Sequence, residues 1–115
     1  MKRDKFLELT SELNDSVLKI INNKGAEYQT NDDVLSNFKS NASELNLSKY
    51  QIWSVYFTKH IKSIISKIKD NPDNPNKNYK KEIEPLKSRI IDAIAYLLFL
   101  YAMISEDTPE TDSSK

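Results

Sequence analysis

Between Ile90 and Ile104 the chain reads IIDAIAYLLFLYAMI, an apolar run broken by one charged side chain, Asp92. The run falls short of the ~20 residues needed to cross a bilayer. It is therefore read as a helix buried over most of its circumference, and a helix of that kind needs other helices to cover it. The rest of the sequence supplies them. Phe6, Leu9, Leu13, Val17, Ile20 and Ile21 recur at spacings of three and four, predicting a first helix over residues 3–23. No run alternates with the period of a strand.

The remaining elements follow from caps and breakers. Gly25, the only glycine, is expected to end the first helix, with Lys24 in its last turn. Asn31 or Asp32 then caps a shorter helix carrying Val34, Leu35, Phe38, Ala42 and Leu45, with Asp32 and Asp33 in its first turn. Ser48 caps a third helix running to about Lys69, with the apolar row Ile52, Val55, Tyr56, Ile61, Ile64, Ile65 and Ile68. The prolines and asparagines between Asp70 and Asn78 form a connection of turns. Pro85 opens a last helix that ends near Ser105. The expected fold is all-α: one domain over residues 1–106, a bundle of three long helices and one short one, followed by an apolar-poor, disordered tail over 107–115.

Charge and composition narrow the function classes. Seventeen basic and seventeen acidic residues cancel, so no net field draws the chain to a nucleic-acid polymer or an anionic membrane. The absence of cysteine removes disulfides, thiolate nucleophiles and sulfur-held zinc. The opening MKRDKFLELTSELND lacks the unbroken apolar core of a signal peptide, and the expected location is the cytoplasm. Glycine-rich phosphate loops and nucleophile elbows are missing too.

Polar residues on apolar faces are the candidate chemistry. Asp92 needs a cation, donors or an open cavity beside it, and Arg89, one turn earlier, is the expected structural partner. His60 shares a stripe with Trp53 and Ile64 and is flanked by Lys59 and Lys62; its near-neutral ordinary pKa suits proton transfer, and the lysines suit phosphate. Glu27, Asp32 and Asp33 offer hard oxygen ligands of the kind magnesium takes, and Asn37 can donate and accept toward a base or ribose.

Taken in order, KGAEYQTNDDVLSNFK, YQIWSVYFTKHIKSI and KSRIIDAIAYLLFLYAM resemble a family of small phage and bacterial proteins associated with nucleotide modification. The resemblance carries functional interest onto Glu27, Tyr28, Asn37, Lys59, His60, Asp92 and Tyr96. More distantly, the pattern looks like the MazG-type nucleoside triphosphate pyrophosphohydrolases, oligomeric helical bundles that hold magnesium on paired helical acids. Here Arg89 stands three residues before Asp92, and Lys59-His60 replaces paired glutamates on the third helix, so a multi-magnesium centre does not carry over.

The resulting expectation is a phosphorylated nucleoside bound between the opening loop and the last two helices. In that reading His60 and Asp92 are the catalytic candidates. Lys24, Glu27, Tyr28, Asn37, Trp53, Lys59, Arg89 and Tyr96 line the ligand, and Glu27, Asp32, Asp33 and Asp92 are the magnesium ligands. Whether the ligand is hydrolysed is left open. The alternatives are a binder that sequesters a nucleotide signal, as a phage needs against host defence, and a helical protein-interaction module. Three long amphipathic helices also predict a homodimer or larger assembly.

Overall fold

The structure, a computed structural model, describes residues 1–28 and 33–108, with side chains from 1–23 and 33–108. Four α-helices carry the fold: α1 (Arg3–Tyr28), α2 (Ser36–Leu45), α3 (Lys49–Asp70) and α4 (Leu86–Asp107), with a single 3-10 turn at Tyr79–Lys81. No strand occurs among the described residues, and the all-α expectation holds.

Local chemistry sets most of the boundaries. Ser48 begins α3 with a full capping box: its hydroxyl accepts from the Gln51 backbone N–H at 3.0 Å, and the Gln51 side chain accepts from the Ser48 N–H at 2.8 Å. Pro85 occupies the N-cap of α4. Asn46 closes α2 in the left-handed conformation, where asparagine is tolerated in place of glycine. The connection after α3 is held to it by a Lys67–Glu82 ion pair of 2.6 Å.

Several expected boundaries change. Gly25 does not end α1, which continues to Tyr28. The short helix starts at Ser36, with Leu35 at its N-cap position and no side-chain cap bond there. Asn31 and Asp32 lie outside the described residues. Asp33 sits ahead of the helix, its Oδ1 accepting from the Leu35 N–H at 2.9 Å and its carbonyl from the Ser36 N–H at 3.1 Å. At the other end α4 takes in Asp107, the first residue of the expected tail; residues 109–115 lie outside the described residues.

α4 is the hub, with α3 and α1 packed on it and α2 packed on α3. One cluster of Leu35, Phe38, Ala42, Ile52 and Met103 joins α2, α3 and α4, with Tyr50, Trp53, Tyr96, Phe99 and Leu100 packed around it. Val17 is buried outside that cluster, as is Ala95. The expectation that α4 is buried nearly all round fails: only Ala93, Ala95 and Met103 are buried, while Ile90, Leu97, Leu98, Tyr101 and Ile104 face outward. Phe6, Val34, Leu45, Val55, Tyr56, Ile65 and Ile68, all counted as apolar-row residues, are exposed as well.

Candidate functional site

The middle of the α3–α4 junction brings together four of the residues singled out from sequence. Trp53 and His60 are two turns apart on α3, and Asp92 and Tyr96 are one turn apart on α4, so each pair lies along one helix face. The His60 ring rests on the Tyr96 ring at 4.5 Å between centroids, tilted by 40°. The Trp53 indole N–H donates to the Tyr96 carbonyl at 2.6 Å, and its ring stacks on Phe57 at 4.7 Å and 12°. All four residues are half-buried, so the junction keeps an edge toward solvent.

A wider aromatic ring surrounds Tyr96. Phe38 of α2 meets it edge-on at 5.9 Å, Phe99 at 5.6 Å, and Tyr56 lies at 6.4 Å. Tyr56 also accepts a 3.3 Å hydrogen bond from the Asn41 amide of α2. Burial pushes the Tyr96 phenol above its usual pKa, and the phenol of Tyr56 and the carboxylate of Asp92 add to the shift. The phenol thus stays neutral, a donor and acceptor beside an imidazole and a carboxylate. Tyr56 and Phe38 belong to the predicted apolar rows of α3 and α2; their place in the ring depends on how α2 crosses α3, although the Trp53–Tyr56–His60 spacing places Tyr56 near the stripe.

Other expected members go elsewhere. Arg89 donates through Nε to the Glu84 carbonyl at 2.9 Å, and through Nη1 to the Ser63 carbonyl at 3.1 Å and hydroxyl at 2.7 Å. The anticipated Arg89–Asp92 pairing gives way to a clamp between α3 and the start of α4. Lys59, adjacent to His60 in sequence, is turned about 100° from it around the helix; it lines a shallow outer depression with Ser54, Val55, Thr58 and Lys62. Asn37 is exposed on α2. The side chains of Lys24, Glu27 and Tyr28 lie outside the described residues, as does Asp32.

Asp33 belongs to a separate polar junction at the far end of α4. Lys39 bridges it, at 2.6 Å, to Glu106 at 2.9 Å; Lys49 pairs with Asp107 at 2.8 Å, and the Tyr50 hydroxyl donates to Asp107 and to the Met103 carbonyl. The Lys39 bond, then the Leu35 N–H, hold the Asp33 carboxyl below the usual range; Lys49 and then Tyr50 do the same for Asp107. Asp92 and Glu106 are separated by fourteen residues of one helix, about 21 Å at 1.5 Å per residue. Asp33 and Asp92 therefore cannot share one magnesium ion. Among the described residues no group of three His, Cys, Asp or Glu side chains could hold a metal.

No family model, curated protein or solved structure matches the chain.

Proposed function

We propose that the protein binds a phosphorylated nucleoside at the half-buried junction of Trp53, His60, Asp92 and Tyr96. The observation that carries this reading is the ring contact of His60 with Tyr96 from opposite helices, with Asp92 one turn away on the Tyr96 face. An imidazole, a neutral phenol and a carboxylate at one solvent-facing edge are groups that recognise a base or ribose by hydrogen bonding, and the surrounding rings offer a stacking surface. The ordered resemblance of the Asn37-Phe38, Lys59-His60 and Asp92–Tyr96 segments to nucleotide-modification proteins points the same way.

Asp33 and Asp92 lie at opposite ends of α4 and the side chains of Glu27 and Asp32 lie outside the described residues, so the proposal is binding, with no step routed through a metal. Hydrolysis and sequestration are separated by the fate of the ligand: mass analysis after incubation returns it cleaved or intact. The test of binding is a thermal-shift panel of nucleoside mono-, di- and triphosphates, with mass analysis of molecules that co-purify. Stabilisation by a subset is expected. His60→Ala and Asp92→Asn should each weaken that ligand by about 1–3 kcal/mol, as for hydrogen bonds to charged groups, with the helical fold retained. A flat panel with no co-purified nucleotide overturns the reading.

A second reading, a helical interaction module, is favoured by the uncovered apolar side of α4.

A further inference from the structure

The outward side of α4 has a pattern of its own. Ile90, Ile94, Leu97, Tyr101 and Ile104 follow one another at spacings of four, three, four and three. That is the 3.5-residue repeat of a coiled-coil seam, in which alternate positions insert between residues of a facing helix. On the helix the stripe lies about 150° round from the Asp92–Tyr96–Phe99–Met103 row, which packs toward α3 and α2. Ala93 and Ala95 are buried on its two flanks, and α1 also packs on α4. Ile94 is half-buried and the other four are exposed, Tyr101 by 74%. No charged residue interrupts the stripe.

The surface of the chain is also larger than the average for a folded monomer of its mass. A folded protein of 13.3 kDa exposes about 6,400 Å², whereas this chain exposes 8876 Å². Giving the sixteen residues whose burial is not described the surface of an unfolded chain leaves an excess of about 400 Å².

We infer that the protein is a two-fold homodimer in which the Ile90–Ile104 stripe of one chain packs antiparallel on the same stripe of a second copy, with Leu97 at the axis. The stripe is symmetric about Leu97, seven residues from either end, so it is complementary to itself, as an isologous contact requires. Its ends differ in charge: Lys87 and Arg89 lie at the start of α4, Glu106 and Asp107 at its close. Antiparallel pairing brings unlike ends and opposed helix dipoles together; parallel pairing stacks like on like. By length and composition α4 could cross a membrane. Its inner side, however, is fixed to α3 by the Trp53–Tyr96, Tyr50–Met103 and Arg89–Ser63 hydrogen bonds, which insertion of the helix alone would break. The inference stands independently of the nucleotide reading.

Sedimentation equilibrium at about 10–100 μM, where specific interfaces are populated, should give the wild-type chain twice its 13.3 kDa mass. Leu97→Glu and Leu97→Lys each place like charges across the axis and should each abolish the dimer, while an equimolar mixture of the two should restore it. If either variant unfolds when alone, recovery of helical circular dichroism on mixing is the expected result, and no recovery counts against the interface. Val55→Glu, on the outer side of α3, should remain dimeric. Because the chain has no cysteine, Ile90→Cys mixed with Ile104→Cys should cross-link under oxidation, and neither should cross-link alone. A monomer throughout the range overturns the inference, whether it stays free, sediments with phosphatidylcholine vesicles or captures a different protein. So does a dimer that survives Leu97→Glu or falls apart with Val55→Glu, and cross-linking of Ile90→Cys to itself overturns the antiparallel arrangement.

Discussion

The two sides of α4 are built from similar apolar residues and meet different fates. On the inner side Tyr96, Phe99 and Met103 pack against α3 and α2; on the outer side Ile90, Leu97, Tyr101 and Ile104 meet solvent. Hydropathy does not separate them, since the outer row is at least as apolar. Polar atoms do. The inner side receives the Trp53 indole at the Tyr96 carbonyl, the Tyr50 hydroxyl at the Met103 carbonyl and the Arg89 clamp onto Ser63. These directional bonds select one register, whereas apolar area alone rewards many. A face with rings and hydrogen bonds from another helix reads as intrachain core; the outer side, whose Tyr101 and Ile104 carbonyls accept only from Ser105 and Thr108 close by in the chain, is open to another chain.

The largest difference between the sides should appear on truncation of a side chain. Phe38→Ala removes the ring that meets Tyr96, Tyr56 and Phe99 and should cost about 3–5 kcal/mol in urea unfolding, the range for a buried Phe. Tyr101→Ala should cost under ~0.5 kcal/mol at protein concentrations low enough to hold the chain monomeric, as surface substitutions do. Equal losses would erase the distinction.

A smaller, matched comparison uses one hydroxyl. Tyr50→Phe loses the donor to Met103 and Asp107 and should lower stability by about 0.5–1.5 kcal/mol. Tyr101→Phe should leave the monomer unchanged, and a loss matching that of Tyr50→Phe would show a bonded hydroxyl on the outer side.

The smallest effect is expected at the polar junction that closes the end of α4. Asp33 and Asp107 have pKa values below the ordinary carboxylate range, so their contribution is present above about pH 4 and lost as pH falls through the depressed values. Lys39 and Lys49 are raised by the same bonds and lose theirs only as pH climbs past about 10. Asp33, Lys39 and Asp107 are a third to a half exposed, so the acid loss should shrink in high salt. Denaturant midpoints at pH 7 and pH 3, with and without salt, measure it; a salt-insensitive loss would place the acid effect outside this junction.

What could be read from sequence was local. Ser48 with Gln51, Pro85, and the proline-asparagine connection each specify a boundary through their own backbone chemistry, and the helices form where those signals place them. Gly25 shows the limit: its tolerance of a left-handed turn permits a helix end without requiring one, and α1 runs on to Tyr28. Spacing identified apolar stripes at Val34, Leu45 and Val55 but could not say whether another helix lies over them. The candidate site divides in the same way. Arg89 was assigned to Asp92 by proximity along one helix, yet α3 presents Ser63 to it in better geometry. Lys59 and His60 are neighbours in the chain and point in different directions. The His60–Tyr96 contact joins residues thirty-six apart in the chain and depends on the register between two helices, which no local signal encodes.

Trp53 gives the molecule a built-in optical reporter. It is the only tryptophan, and its indole is bonded to an α4 carbonyl and stacked flat on Phe57. Intrinsic fluorescence excited at the indole therefore samples the α3–α4 seam alone: separation of the two helices shifts the emission to the red as water reaches the ring, and a molecule settling against His60 and Tyr96 perturbs it without any label.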